Sequence, residues 1–297
     1  MENKLGVFTW DDIISGKFYP RSHLAVAGYE GTAVTVGGFD GAHRGHQALF
    51  SAVLRQKNLL PGVITFATSP KARFHPETFS GSVYTMEQRL RVFQETGFAF
   101  VVVIDFSGDF GKMDGVVFLQ HLKERLYMSY LAEGTDFRCG YKGAVTIDFL
   151  KDFAEKNQVE LEVVEPVIAE GVRISSSEIR RSLLEGDFAR CRRFLGRNFA
   201  LGGSGFQWQW SHQSLLGMRL RDSSDSLQIL PPAGRYDVKI HCEVGQKDKK
   251  NCGRRSFSFE GRVVVQEESL EMILPAQVYE GLPSTEDLMV QSVEFIG

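Results

Sequence analysis

Residues 34–49 read VTVGGFDGAHRGHQAL: an apolar run ends in paired glycines, and a Phe-Asp-Gly turn then carries two histidines three residues apart. TAVTVGGF (32–39) predicts a buried strand, and the stretch from about His43 to Lys57 predicts a helix. Working outward, strand-like runs at 61–67, 98–106, 128–134 and 159–166 alternate with helical runs at 85–97, 115–127 and 145–157 and a helical pair over 175–195. This alternation predicts an α/β fold, Rossmann-like, with a parallel sheet and helices on both faces. Ligands of such sheets bind at the carboxyl ends of the strands, beside helix N-termini, and GGFDGAHRGH falls at such a place.

On a helix, His43 and His46 share a face. The same turn carries unpaired backbone N–H groups and the positive end of the helix dipole. Two imidazoles with those donors suit the phosphates of a nucleotide. Gly41 allows a tight turn, and Gly45 leaves room for a phosphate or base to approach the backbone. Two other readings stay open at this point. His43, His46 and Asp40 could ligate a metal, the weaker option because no further His/Cys cluster supplies a fourth ligand. The histidines could also be ordinary polar residues at a helix start.

The chain has 297 residues, 43% of them hydrophobic and 24% charged, with a net charge of −3. A dedicated nucleic-acid binder would be basic overall, so no nucleic-acid partner is expected. The longest apolar runs, such as AFVVVI (99–104), are far too short to span a membrane. MENKLGVFTWDD shows no signal-peptide pattern, and Cys139, Cys191, Cys242 and Cys252 form no CxxC pair. Both features predict a reducing, cytoplasmic setting. After Asn198, LGGSG (201–205) reads as a linker, and short alternating runs at 235–244, 254–266 and 269–276 predict a small all-β, barrel-like domain. The expected domains are 1–198 and 199–297. KDKK (247–250) reads as a solvated hairpin turn.

GGFDGAHRGHQAL resembles the nucleotide-binding signature G-x-F-D-G-x-H-x-G-H-x-x-L of the prokaryotic bifunctional FAD synthetases (riboflavin kinase/FMN adenylyltransferases), part of the wider HxGH nucleotidyltransferase superfamily. VITFATSP (63–70), EGTDFRCGYKG (133–143) and RISSSEIRRSLLEGDFARCRRFLGR (173–197) resemble three further motifs of that family, in the same order. The resemblance implies adenylyl transfer from ATP to FMN, giving FAD and pyrophosphate, with Mg²⁺ on the nucleotide and no metal held by protein ligands. It implies ATP and FMN as small-molecule partners; no membrane partner is expected, and the chain is expected to be a monomer or weak oligomer. His43 and His46 would donate to α- and β-phosphate oxygens, aided by the backbone of Gly38, Phe39 and Asp40. Ser175 with Glu178 forms an S-x-x-E capping box, so its plain reading is an N-cap. Ser176, Ser177 and Arg180 would hold the leaving end of the triphosphate. Arg181, Arg190, Arg192, Arg193 and Arg197 read as solvated faces or salt bridges.

Departures from the family pattern are specific. Its T-F-(D/E)-P-H-P keeps only Thr65, Phe66 and Pro70 here; Ala67 replaces the acid and Ser69 the histidine. Asp136 matches an Asn/Asp position, Thr135 replaces a glutamate and Cys139 an aromatic. Phe74 matches an aromatic of the loop that the family places near the isoalloxazine ring. Phe106, Phe110 and Phe137 read equally as ligand contacts or core. No P-T-A-N motif of a riboflavin kinase follows Asn198; only LPPAGRYDVKI (230–240) resembles a strand of that module. The expectation is therefore an FMN adenylyltransferase without kinase activity. The rivals are another HxGH nucleotidyltransferase and a non-catalytic flavin or nucleotide sensor.

Overall fold

A computed structural model describes residues 4–18, 28–69, 72–73, 76–106, 110–211, 214–220, 228–245, 254–273 and 288–296. Phe74, Pro70 and KDKK (247–250) lie outside them. The chain divides into two compact units, Met1–Phe79 with Arg89–Ile174, and Ser80–Gln88 with Ser175–Gly297. No described helix is long and apolar enough to cross a membrane.

The first unit is built on six strands: β1 (Gly6–Thr9), β2 (Gly31–Val36), β3 (Leu59–Phe66), β4 (Phe100–Ile104), β5 (Met128–Gly134) and β6 (Glu160–Val164). They lie in the order β1-β4-β3-β2-β5-β6, and every pairing is parallel. Helices α1 (Trp10–Ile14), α2 (Arg44–Leu54), α3 (Met86–Thr96), α4 (Gly115–Arg125) and α5 (Ile147–Lys156) connect them. All of β2 is buried, because each of its faces meets a core. Val34 and Val36 pack with Ile64, Val102, Leu122 and Leu131 on one side. Ala33 packs with Phe50, Val63, Phe93 and Tyr130 on the other.

From β2 the chain winds outward through β3 and β4, then returns to place β5 on β2's other side. The winding direction therefore reverses between β2 and β5, which is where open α/β sheets bind ligands. The strand expected over 32–39 ends at Val36, because Phe39 takes a left-handed conformation. The helix expected from 145 starts at Ile147, since Val145 and Thr146 pair with Cys139 and Arg138 first. Strand β1 is one that the sequence pattern does not announce. It is a four-residue edge strand whose exposure alternates, and Thr9 at its end opens α1 with a capping box to Asp12.

The second unit carries α6 (Ser176–Leu184) and α7 (Phe188–Leu195), then seven antiparallel strands. These are β7 (Ala200–Gly202), β8 (Phe206–Ser211), β9 (Ser214–Arg219), β10 (Gly234–Gly245), β11 (Arg254–Val265), β12 (Ser269–Ile273) and β13 (Leu288–Phe295). Their order is β7-β13-β10-β11-β12-β9-β8. Flat, the two edges of such a sheet would lie about 29 Å apart. Yet edge strands β7 and β8 are joined by Gly203–Gly205 alone, a reach of about 14 Å. The sheet must curl into a half-closed barrel.

LGGSG is accordingly the corner of the barrel, not a linker. A Cβ on Gly203 would sit 1.7 Å from the Val290 carbonyl oxygen, so its glycine serves a close backbone approach. Helices α6 and α7 group with the barrel, so compactness divides the chain at 174/175 where the sequence reading set 198. The reason is aromatic packing. Phe188 stacks on Phe295 at 4.8 Å and 7°, and Tyr236 and Phe199 close around them. Buried Gln228 ties in residues 80–88: its amide donates to the carbonyls of Val83 and Ala200, and its carbonyl accepts from Gly202 N–H.

Phe295→Ala should remove the centre of that cluster and destabilise the second unit by roughly 3–5 kcal/mol. Urea unfolding followed by tryptophan fluorescence checks this, and a loss under about 1 kcal/mol would contradict the packing role.

Candidate active site

The histidine turn begins where β2 stops. Gly37 N–H donates to Ile64 O, and Gly38 O accepts from Thr65 Oγ1 at 3.3 Å. Three of the next four residues then have positive φ: Phe39 at 48°, Gly41 at 78° and Ala42 at 39°. Gly41 adopts this without strain; Phe39 and Ala42 do not. Phe39 is held there by burial, its ring edge-on to Phe50, Phe93 and His46. Asp40 and His43 are also buried.

His43 is the N-cap of α2, not a residue of its first turn. Its Nδ1 accepts the His46 backbone N–H at 3.3 Å. A neutral ring that accepts at Nδ1 carries its proton on Nε2, so this cap makes Nε2 a donor. The two rings stack, with centroids 3.6 Å apart and planes at 18°. Stacked imidazoles aim their lone pairs side by side, whereas a tetrahedral metal needs them to converge. This geometry disfavours the metal reading of His43, His46 and Asp40. Gly45 allows the stack: a Cβ there would meet the His43 ring at 3.1 Å.

Two buried charged residues brace the turn, and the sequence reading missed both. Arg89 on α3 donates from Nη1 to Gly38 O and Phe66 O, each at 2.9 Å, and to Thr65 Oγ1; Nη2 donates to Ala67 O. It thereby ties the loop after β2 to the loop after β3. Glu133 on β5 accepts the Val36 N–H at Oε1, 2.7 Å away. Burial pushes its carboxyl well above the usual carboxylate range, more than the Val36 hydrogen bond lowers it. The signal for each was a charge inside an apolar pattern, Arg89 one helical turn from Phe93 and Glu133 within MSYLAEG.

A cavity of about 710 Å³ opens beside the turn. Gly37 and Gly38 form part of its wall, and Phe66, Phe106, Phe110 and Phe137 line it. Phe66 and Phe106 stack at 4.9 Å, and Phe110 meets Phe106 edge-on. The volume and aromatic walls suit a planar heterocycle. The three phenylalanines left open by the sequence thus line a ligand-sized space. Cys139 lines it too, but burial pushes its thiol up to about 12. It is no thiolate nucleophile near neutral pH. A second hollow of about 980 Å³ shares Phe110 and Met113 and includes Trp10 and Ala67.

Asp136 pairs with Arg173 at 2.7 Å, and that hydrogen bond holds its carboxyl below the usual range. Ser69 accepts Arg73 N–H at its carbonyl. In the second unit, Ser175 caps α6 by accepting Glu178 N–H. The capping box is only half formed, because the Glu178 carboxylate is drawn to Arg181 and Arg190. Ser176 and Ser177 begin α6, while Arg180 is buried, its Nε donating to Gly81 O at 2.7 Å.

Comparison with known proteins identifies the family. A bifunctional riboflavin kinase/FMN adenylyltransferase of Pseudomonas fluorescens is 31% identical over 221 residues, 71% of this chain and 69% of that relative. The protein of the same description from Escherichia coli (strain K12) is 29% identical over 226 residues, 73% of this chain and 71% of the relative. A solved structure from Streptococcus pneumoniae, described as a macrolide-efflux protein, shares the fold: the TM-score is 0.70 at 21% identity, covering 98% of this chain and 89% of that one. The family model for FAD synthetase matches residues 27–178, just over half of the sequence and the whole of the histidine turn. The chain belongs to the FAD synthetase family.

Proposed function

We propose that this chain is an FMN adenylyltransferase, which joins FMN and ATP to give FAD and pyrophosphate. The observation that carries the reading is the stacked histidine pair at the strand-order reversal, beside an aromatic cavity. The FMN phosphate is already a nucleophile and attacks the α-phosphorus of ATP in line, with pyrophosphate leaving. The protein contributes position and charge stabilisation. His43 donates through Nε2, and His46, stacked on it, is the second donor. The backbone of Gly38, Phe39 and Asp40 and the first turn of α2 add N–H groups. Gly41 and Gly45 keep that turn open to phosphate.

The cavity takes the isoalloxazine ring, with Phe66 and Phe106 as its aromatic wall. Ser69, Phe74 and Asp136 remain proposed contacts for nucleotide or flavin. Ser176, Ser177 and Arg180 are proposed donors to phosphate, whereas Ser175 is engaged in capping its own helix. Among the described residues, no three His, Cys, Asp or Glu side chains group to hold a metal. Mg²⁺ is proposed to arrive on the triphosphate, where it would neutralise phosphate charge as pyrophosphate departs. The second unit is proposed to have lost riboflavin kinase chemistry, on the ground that no P-T-A-N follows Asn198.

Purified protein given FMN, ATP and Mg²⁺ should release FAD and pyrophosphate in equal amounts. Binding without pyrophosphate release would mark a sensor, and preference for another acceptor nucleotide would mark a different transferase. His46→Ala should lower kcat by roughly 100- to 1,000-fold at unchanged thermal stability; a wild-type rate would remove His46 from the reaction. Phe106→Ala should raise KM for FMN by roughly 3- to 10-fold and leave KM for ATP unchanged. Equal effects on both would put the flavin elsewhere. Riboflavin with ATP should yield no FMN by chromatography, and FMN formation would refute the loss of kinase activity.

A further inference from the structure

Strands β2 and β5 run side by side, yet their backbone ladder stops early. The last paired residues are Val34 and Leu131, although β2 continues to Val36 and β5 to Gly134. Each strand keeps its outer partner to the end: Val36 still pairs with Ile64 of β3, and Gly134 with Val164 of β6. The backbone ladder in the middle of the sheet therefore ends short of both strand ends, at the strand-order reversal. Continued register would set Val36 opposite Glu133. There, the Val36 N–H goes to the Glu133 side chain, at 2.7 Å, in place of a backbone carbonyl.

A backbone bond holds neighbouring strands about 4.8 Å apart, and an acceptor at the end of a side chain sets a wider gap. Glu133 is 2% exposed and, two residues after Leu131 in β5, lies on the sheet face of Leu131 and Val36, against which Phe137 and Cys139 pack. The residues directly after Val36 are Gly37 and Gly38, which line the aromatic cavity and lead into the histidine turn.

We propose that Glu133 is a positioning residue for adenylyl transfer: its side chain wedges the ends of β2 and β5 apart and, through the Val36 amide, fixes where the histidine turn starts. This rests on the adenylyltransferase reading for its kinetic consequence, but the wedge itself is a property of the folded chain. What matters is an acceptor oxygen at the right reach, not a charge. Burial holds the carboxyl towards its neutral form, and glutamine has the same reach with an acceptor oxygen. Aspartate keeps the acid but is one methylene too short.

The test combines amide exchange at Val36, read by ¹⁵N NMR on the full chain, with steady-state FAD formation. Glu133→Gln should keep the Val36 amide protected and kcat within about threefold of wild type. Glu133→Asp and Glu133→Ala should lose protection at least about tenfold, with kcat down about 100-fold and both KM values within about threefold. Should Glu133→Ala fail to fold, the Asp and Gln variants decide. Wild-type behaviour of Glu133→Asp, failure of Glu133→Gln to rescue, or full kcat in a folded Glu133→Ala would each overturn the wedge. Wild-type protein that makes no FAD would instead refute the function, and the exchange data would still judge the wedge.

Discussion

Everything at the candidate site depends on a backbone turn that is held in place by a buried ring. Phe39 and Ala42 sit in the left-handed region, which costs roughly 1–2 kcal/mol for a residue with a Cβ. Phe39 is 2% exposed and packed on Phe50 and Phe93, and burying such a ring contributes roughly 1.5–3 kcal/mol. Burial thus offsets the strain of the Phe39 backbone. The consequence is directional. The chain reverses within a few residues of β2, so that His43 arrives as a helix cap and His46 lands on the Phe39 ring edge.

The cap has chemical consequences of its own. The His46 amide satisfies His43 Nδ1 and thereby assigns the ring proton to Nε2. Arg89 and Glu133 then stop the strand ends on either side from drifting, one by tying the loops after β2 and β3 together, the other between the ends of β2 and β5. A transfer between two phosphates needs little more from a protein than donors held still. The Cys139 thiol, pushed up to about 12 by burial, is in keeping with a site that uses no covalent step.

The α/β class, the histidine turn and most element positions were legible because local patterns carry them: a continuous apolar run for β2, a glycine for Gly41, a serine for the cap of α6. What was not legible depended on partners far along the chain. Helices α6 and α7 group with the barrel because Phe188 finds Phe295, and no local pattern announces that contact. LGGSG reads as flexible on composition, yet its glycine at 203 answers to a carbonyl at Val290. Strand β1 is too short for its alternation to stand out. The charges of Arg89 and Glu133 interrupt apolar patterns in plain sight, but their role lies in acceptors and donors on other strands. Phe106, Phe110 and Phe137 could be told from ordinary core only once the cavity between them existed.

The account stands or falls on whether the capped histidine presents its Nε2 proton to phosphate. The most direct measurement is the ¹⁵N spectrum of the imidazole rings, recorded at neutral pH with and without a non-hydrolysable ATP analogue and Mg²⁺. The account predicts that His43 carries its proton on Nε2 in the free protein and that this N–H shifts and exchanges more slowly when the analogue binds. A His43 ring protonated on Nδ1 alone, or His43 and His46 signals untouched by saturating analogue, would contradict it.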